Sequence, residues 1–119
     1  MLEKSILVVC KQKLLTAKAD LLNRFQSHFR EFSERERGGD EADQTMSLLA
    51  ENNLFVTQQR LRFQLIEIEH ALARMEKGTY GICEETDEPI EAERLIAIPW
   101  TRLSIEGAEI REAIDSKRA

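Results

Sequence analysis

Apolar residues recur through the middle of the chain in steps of seven, four and three. Leu54, Leu61, Leu65, Ile68, Leu72 and Met75 form the stripe, with Gln58 as its one polar member. This spacing returns to the same side of a helix every two turns and predicts an a/d coiled-coil seam. Upstream, Leu7, Leu14, Leu21, Phe25 and Phe32 keep the same beat, with His28 and two lysines at seam positions. Leu15, Leu22 and Phe29 widen that stripe to a broader apolar face. The pattern predicts one helix over about Glu3–Arg37 and a second over about Thr45–Lys77. Gly38-Gly39 interrupts them, and so short a connection makes the two helices antiparallel neighbours. At 1.5 Å per residue, helices of this size run roughly 45–50 Å, long enough to reach deep into another protein.

Beyond Lys77 the pattern changes. Gly78 is placed to end the second helix, and the segment to Pro99 is rich in turn residues around Asp87-Glu88-Pro89. The apolar run Leu95-Ile96-Ala97-Ile98 is expected to form a short hairpin or an irregular knuckle. Thr101 to Ser116 reads as a last helix with Leu103, Ile110 and Ile114 on one side. The expected fold is mainly α. Residues 1–77 make a long antiparallel coiled-coil hairpin with its tip near 36–45, and residues 78–119 make a small cap and C-terminal helix. Tyr80, Ile82, Ile90, Leu95, Ile98, Trp100 and Leu103 are the expected packing residues of the cap. A cap this small is marginal alone, so contact with the N-terminal patch Ile6 to Val9 is expected.

Composition narrows the function. With 119 residues, 42% hydrophobic and 33% charged, the chain suits one domain with extensions. A net charge of -5 argues against nucleic acid as the direct partner, because affinity for phosphate backbones comes from lysine and arginine. A protein or a cationic channel fits better. No apolar run approaches membrane-spanning length, and Met1-Leu2-Glu3-Lys4 does not open a signal peptide. Cys10 and Cys83 form no disulfide framework, which points to a reducing cytoplasm.

Gly78-Thr79-Tyr80-Gly81-Ile82-Cys83 opens like a zinc knuckle and then lacks the ligands. A C-x2-C pair, a spacer and a second C-x2-C require four thiolates, but after Cys83 the remaining positions are Thr86, Ser104 and Gly107. A hydroxyl does not deprotonate near neutral pH and glycine has no side chain, so no zinc and no other cofactor is expected. Cys83 is read as a small buried hydrophobe in preference to a redox thiol or a vestigial ligand, because Glu84 and Glu85 beside it should raise its pKa. His28, His70 and Cys10 form no local nucleophile-base pair, and no enzyme activity is expected.

The run Ala71-Leu72-Ala73-Arg74-Met75-Glu76-Lys77-Gly78-Thr79-Tyr80-Gly81-Ile82-Cys83, with Glu88-Pro89-Ile90, Glu93-Arg94-Leu95 and Pro99, closely resembles the DksA/TraR family of bacterial transcription factors. Zinc-poor members belong to it. The resemblance implies direct binding to RNA polymerase without DNA binding. The hairpin would enter the enzyme's secondary channel and modulate initiation, as in the stringent response, and the factor is expected to be a monomer.

Acid gathers at the expected tip in Glu31, Glu34, Glu36, Asp40, Glu41 and Asp43, offset by Arg35 and Arg37 alone. A solvated turn with Asp43 as N-cap accounts for this equally well. The family places an Asp-x-x-Asp-x-Ala motif at its tip. An ungapped register from Cys83 puts Asp40 and Asp43 on the aspartates and Thr45 on the alanine. In the same register Arg60 matches a rim-contacting arginine, against the plain reading of an exposed coiled-coil residue. The basic residues that clamp guanosine tetraphosphate fall on Glu67, Ile98 and Ala108, which cannot bind phosphate, so nucleotide synergy is expected to be weak unless Arg62, Arg94 or Arg102 substitute. Two other classes compete: a transcript-cleavage factor using Asp40, Glu41 and Asp43 to hold magnesium, and a coiled-coil adaptor or dimerisation module unrelated to polymerase.

Overall fold

A computed structural model of the chain describes residues 2–36 and 44–118, with side-chain surroundings over 2–30 and 48–117. It is helical: α1 spans Lys4–Glu36, α2 Gln44–Lys77, α3 Ala92–Ala97 and α4 Ile105–Arg118. The first two form the expected antiparallel coiled-coil hairpin. The chain divides into two compact units, one of residues 17–66 and one of residues 1–16 with 67–119.

In the 17–66 unit the facing stretches of α1 and α2 bury Leu21, Leu54 and Leu61. These residues fall on the heptad beat, and the Arg62 guanidinium lies 5.9 Å from the centre of the Phe25 ring. Leu22 and Phe29, expected to broaden the buried face, are exposed. Two helices in contact bury one narrow seam each, so a wider stripe has nothing to cover it.

In the second unit Leu14 and Ile68 are buried on the same heptad beat, and two small residues, Cys10 and Ala71, are fully buried as well. The Cys10 thiol donates to the Leu95 carbonyl at 3.6 Å, and Lys13 Nζ donates to the Ile96 carbonyl at 2.9 Å. The expected N-terminal contact therefore exists, but it runs through Leu2, Ile6 and Cys10, while Val8 and Val9 face outward. Helix α2 ends as its sequence dictates. Gly78 adopts φ +79°, Gly78 N–H donates to Met75 O and Thr79 N–H to Arg74 O, the paired bonds of a Schellman stop.

The run expected as a hairpin is largely helix α3, with Leu95 fully buried. Its Leu95 N–H and Ile98 N–H donate four residues back to Glu91 O and Arg94 O, so local bonds satisfy the backbone without a strand partner. Helix α4 begins four residues later than the apolar spacing indicated, because Ser104 stops it. Its Oγ accepts from Gly107 N–H at 3.0 Å, as an N-cap does at N3. Among the expected packing residues, Tyr80, Ile90 and Leu95 are buried, Ile98 and Leu103 are partly so, and Ile82 and Trp100 are exposed.

Candidate functional site

The knuckle is a tight loop from Gly81 to Ile90. Cys83 N–H donates to Glu88 O at 2.8 Å, Asp87 N–H to Cys83 O at 2.9 Å, and Ile90 N–H to Gly81 O at 2.7 Å. Gly81 sits at φ +89°, a left-handed conformation that suits glycine, and Leu2 and Leu95 pack beside it. Glu84 N–H donates to Arg102 O at 2.9 Å, which draws the segment before α4 against the loop. On the other side Arg111 of α4 reaches Glu85 at 3.1 Å and Glu84 at 3.7 Å.

These contacts bring Cys83, Thr86, Ser104 and Gly107 around one point. The Cys83 sulfur is buried, and the hydroxyls and backbone N–H groups of Ser104 and Thr86 hydrogen-bond to it. The direction of those bonds follows from the neighbours. Ser104 Oγ already accepts from Gly107 N–H and Thr86 Oγ1 from Glu88 N–H at 3.3 Å, which leaves each hydroxyl proton free to point at sulfur. Burial alone pushes the thiol up, but these four donors outweigh it and bring Cys83 down to about 6. The sequence-based expectation of a raised pKa from Glu84 and Glu85 is thereby reversed. Both carboxylates turn to Arg111, and the sulfur meets donors instead.

The donor set does not fit a zinc ion. One thiolate is present where a structural site uses four ligands, and Zn–S bonds of about 2.3 Å place two sulfurs on one metal roughly 3.8 Å apart. A Cβ at residue 107 would already stand 2.4 Å from Cys83 Sγ. The α4 backbone thus occupies the room that a fourth ligand needs. Among the described residues no group of three or more His, Cys, Asp or Glu is placed to hold a metal.

The low thiol pKa makes stability depend on pH. A thiolate favoured in the folded state stabilises it fully above the unfolded pKa of about 8.5, and that contribution is lost as pH falls toward about 6. The urea midpoint of the native chain should therefore rise from pH 6 to 9 relative to Cys83→Ala, with the difference level below 6. A difference that is flat across the whole window would show that the sulfur stays protonated.

The other candidates are dispersed. Asp40 and Asp43 lie outside the described residues, and of Thr45 only the helical backbone is described. Arg60 is exposed on α2. Of the positions weighed for nucleotide, Glu67 is ion-paired with Arg102, and Ile98 and Ala108 are half-buried apolar side chains. The three possible substitutes have other contacts: Arg62 lies over Phe25, Arg94 Nε donates to Leu103 O at 2.8 Å, and Arg102 holds Glu67.

Two sets of polar contacts have no counterpart in the sequence, which marks Tyr80 as a packing residue of the cap only. Tyr80 is buried with its hydroxyl donating to Pro99 O at 2.8 Å, and burial followed by the Cys10 thiol pushes its pKa up. Arg74 bridges α2 to Trp100 O and Thr101 O at 3.4 Å each, and burial lowers its pKa. With His70, Lys77, Glu84 and Arg102 it lines a shallow, mainly basic depression of about 230 Å³. No spacing marks either residue, since each acts through carbonyls about twenty residues or more away in the chain.

A two-helix coiled coil and a tight knuckle with one buried thiol define a mainly helical protein. The family model of the prokaryotic dksA/traR C4-type zinc finger matches residues 78–113. An uncharacterized protein of Aquifex aeolicus is 42% identical over 117 residues, covering 91% of this chain and 77% of that one. The RNA polymerase-binding transcription factor DksA of Caulobacter vibrioides is 39% identical over 105 residues, covering 86% of this chain and 72% of its own length. The solved structure of transcription factor DksA2 from Pseudomonas aeruginosa superposes with a TM-score of 0.90 at 31% identity, over 96% of this chain and 88% of that one. The chain belongs to the DksA/TraR family.

Proposed function

We propose that this protein binds RNA polymerase directly and modulates transcription initiation, with the acidic end of its hairpin entering the secondary channel, without binding DNA. The relation to the Caulobacter RNA polymerase-binding factor across most of both chains carries this reading. The net charge of -5 supports a protein partner over nucleic acid. Asp40 and Asp43 act electrostatically near the polymerase active site, Thr45 follows them, and Arg60 contacts the channel rim. The factor works in the cytoplasm and catalyses no reaction of its own.

Two further properties belong to the proposal. Activity is independent of zinc, because hydrogen bonds to the Cys83 sulfur replace the metal in closing the knuckle. Synergy with guanosine tetraphosphate is weak, because Glu67, Ile98 and Ala108 offer no cation and the nearby arginines are engaged.

Retention on immobilised core polymerase tests the reading. The full chain should be retained at low salt and should not stimulate cleavage in backtracked complexes. Failure of retention would remove the polymerase reading, and stimulated cleavage would make the protein a transcript-cleavage factor.

A further inference from the structure

A shallow depression of about 230 Å³ lies where the C-terminal end of α2 meets the segment before α4. His70, Arg74 and Lys77 stand at i, i+4 and i+7 and so share one face of the helix, with the short Ala73 side chain beside them. Arg102 borders the other side. Its Nη2 holds Glu67 and lies 3.5 Å from His70 Nδ1, while its Nε is buried with no hydrogen-bond partner among the described residues. The cations here are incompletely satisfied. Arg74 reaches the Trp100 and Thr101 carbonyls at 3.4 Å each, beyond the usual length of such bonds, and Lys77 pairs with no described residue. Burial lowers the Arg74 pKa, and the nearby Arg102 charge adds to this while Glu84 opposes it. A half-buried cation in that state gains from an anion brought beside it.

We propose that this depression docks a single carboxylate side chain presented by the protein partner, which is RNA polymerase if the function proposed above, on which that identity rests, is correct. Charge sets the number. Arg74, Lys77 and Arg102 against Glu67 and Glu84 leave one net positive charge with His70 neutral, and Glu84 is shared with Arg111. One carboxylate balances that charge, whereas a polyphosphate would exceed it and meet two glutamates. Size sets the mode of delivery. Pockets that cover most of a free ligand run to roughly 300–1,000 Å³, and this one is smaller. The anion must therefore arrive on a surface that supplies further contacts. The donors suit the group, since a planar guanidinium matches both oxygens of a carboxylate and Lys77 adds a mobile point charge at the edge. Nucleic acid is the poorer occupant, because a chain of net charge -5 repels a phosphate backbone.

An NMR titration of the isotope-labelled full chain with the capped tripeptide acetyl-Gly-Glu-Gly-amide tests the site without polymerase. The Nε–H signals of Arg74 and Arg102 should shift saturably with a Kd on the order of 10 mM, and the peptide with glutamine in place of glutamate should leave them unmoved. Lys77→Glu should weaken the peptide by about tenfold or more and lower retention of the full chain on immobilised core polymerase, whereas Lys117→Glu on α4, an equal change of net charge, should alter neither. Lys77 is exposed at the end of α2, so its replacement leaves the core intact. Arg74→Lys keeps the charge without the planar fork and should also weaken the peptide, and it decides the matter if Lys77→Glu loses helical CD signal. No saturable shift, or an equal response to the glutamine peptide, would overturn the site. Inorganic phosphate bound at the same signals about tenfold more tightly than the peptide would overturn the carboxylate in favour of phosphate. Unchanged retention of Lys77→Glu on polymerase would overturn the docking role. A native chain that binds the peptide but is not retained at all would remove the polymerase reading and leave the carboxylate site standing.

Discussion

Replacing Asp40 and Asp43 together by asparagine is expected to abolish the protein's effect on promoter activity in purified transcription while leaving its retention on core polymerase within about twofold. The substitution is nearly isosteric and removes charge alone. The segment 31–43 carries a net charge of -4, and the double variant lowers it to -2. A charge-assisted hydrogen bond contributes about 1.5–3 kcal/mol, so loss of two at a functional contact exceeds a tenfold change in effect. Asparagine also separates the two roles open to Asp43. That residue directly precedes α2, and asparagine caps a helix as well as aspartate does, so Asp43→Asn keeps capping while removing charge. If the tip acids serve only to cap and solvate a turn, the double variant should behave like the native chain. If they anchor the protein instead, retention should fall in parallel with the promoter effect.

Legibility in the sequence followed how far apart the interacting groups lie. The long helices of the hairpin could be read because Leu14, Leu21, Leu54, Leu61 and Ile68 repeat at seven residues, and a heptad repeat states both helix and partner. Cys10 and Ala71 could not be recognised as seam residues, since small side chains leave no mark in an apolar pattern although they permit the closest approach. Helix α3 was hidden because Leu95-Ile96-Ala97-Ile98 is short and β-branched, and only its i to i−4 bonds reveal it. At the knuckle, the spacing from Cys83 picks out Thr86, Ser104 and Gly107, and these residues lie close to its sulfur in the structure. Hydroxyls were discounted there as metal ligands, which is sound chemistry, yet the same hydroxyls are good donors to sulfur. That second role depends on Gly107 and Glu88 N–H groups occupying the hydroxyl lone pairs, a consequence of loop geometry that no spacing encodes.

Gly107→Ala should lower the thermal midpoint by roughly 8–15 °C, corresponding to about 2 kcal/mol. Helix propensity alone predicts the opposite sign. Gly107 is in the first turn of α4, where alanine is favoured over glycine by up to about 1 kcal/mol. The packing term is larger, because the added Cβ would stand 2.4 Å from the Cys83 sulfur, 3.3 Å from Ser104 Oγ and 3.4 Å from Glu85 Cβ. The sulfur cannot swing away, since it is buried and held by Ser104 and Thr86. Relief must then come from a shift of the α4 start, which breaks the Ser104 cap and the knuckle bonds together. Removing the obstacle should restore the helical gain. In the background of Cys83→Ala, the glycine-to-alanine change is expected to be neutral or stabilising, a coupling of about 2 kcal/mol between neighbouring sites in a double-mutant cycle. A single Gly107→Ala variant more stable than the native chain would show that the start of α4 shifts to admit the methyl group at little cost, so that helix propensity decides the sign. In either case the midpoint should be indifferent to a chelator, because one thiolate does not supply the four ligands of a structural zinc site.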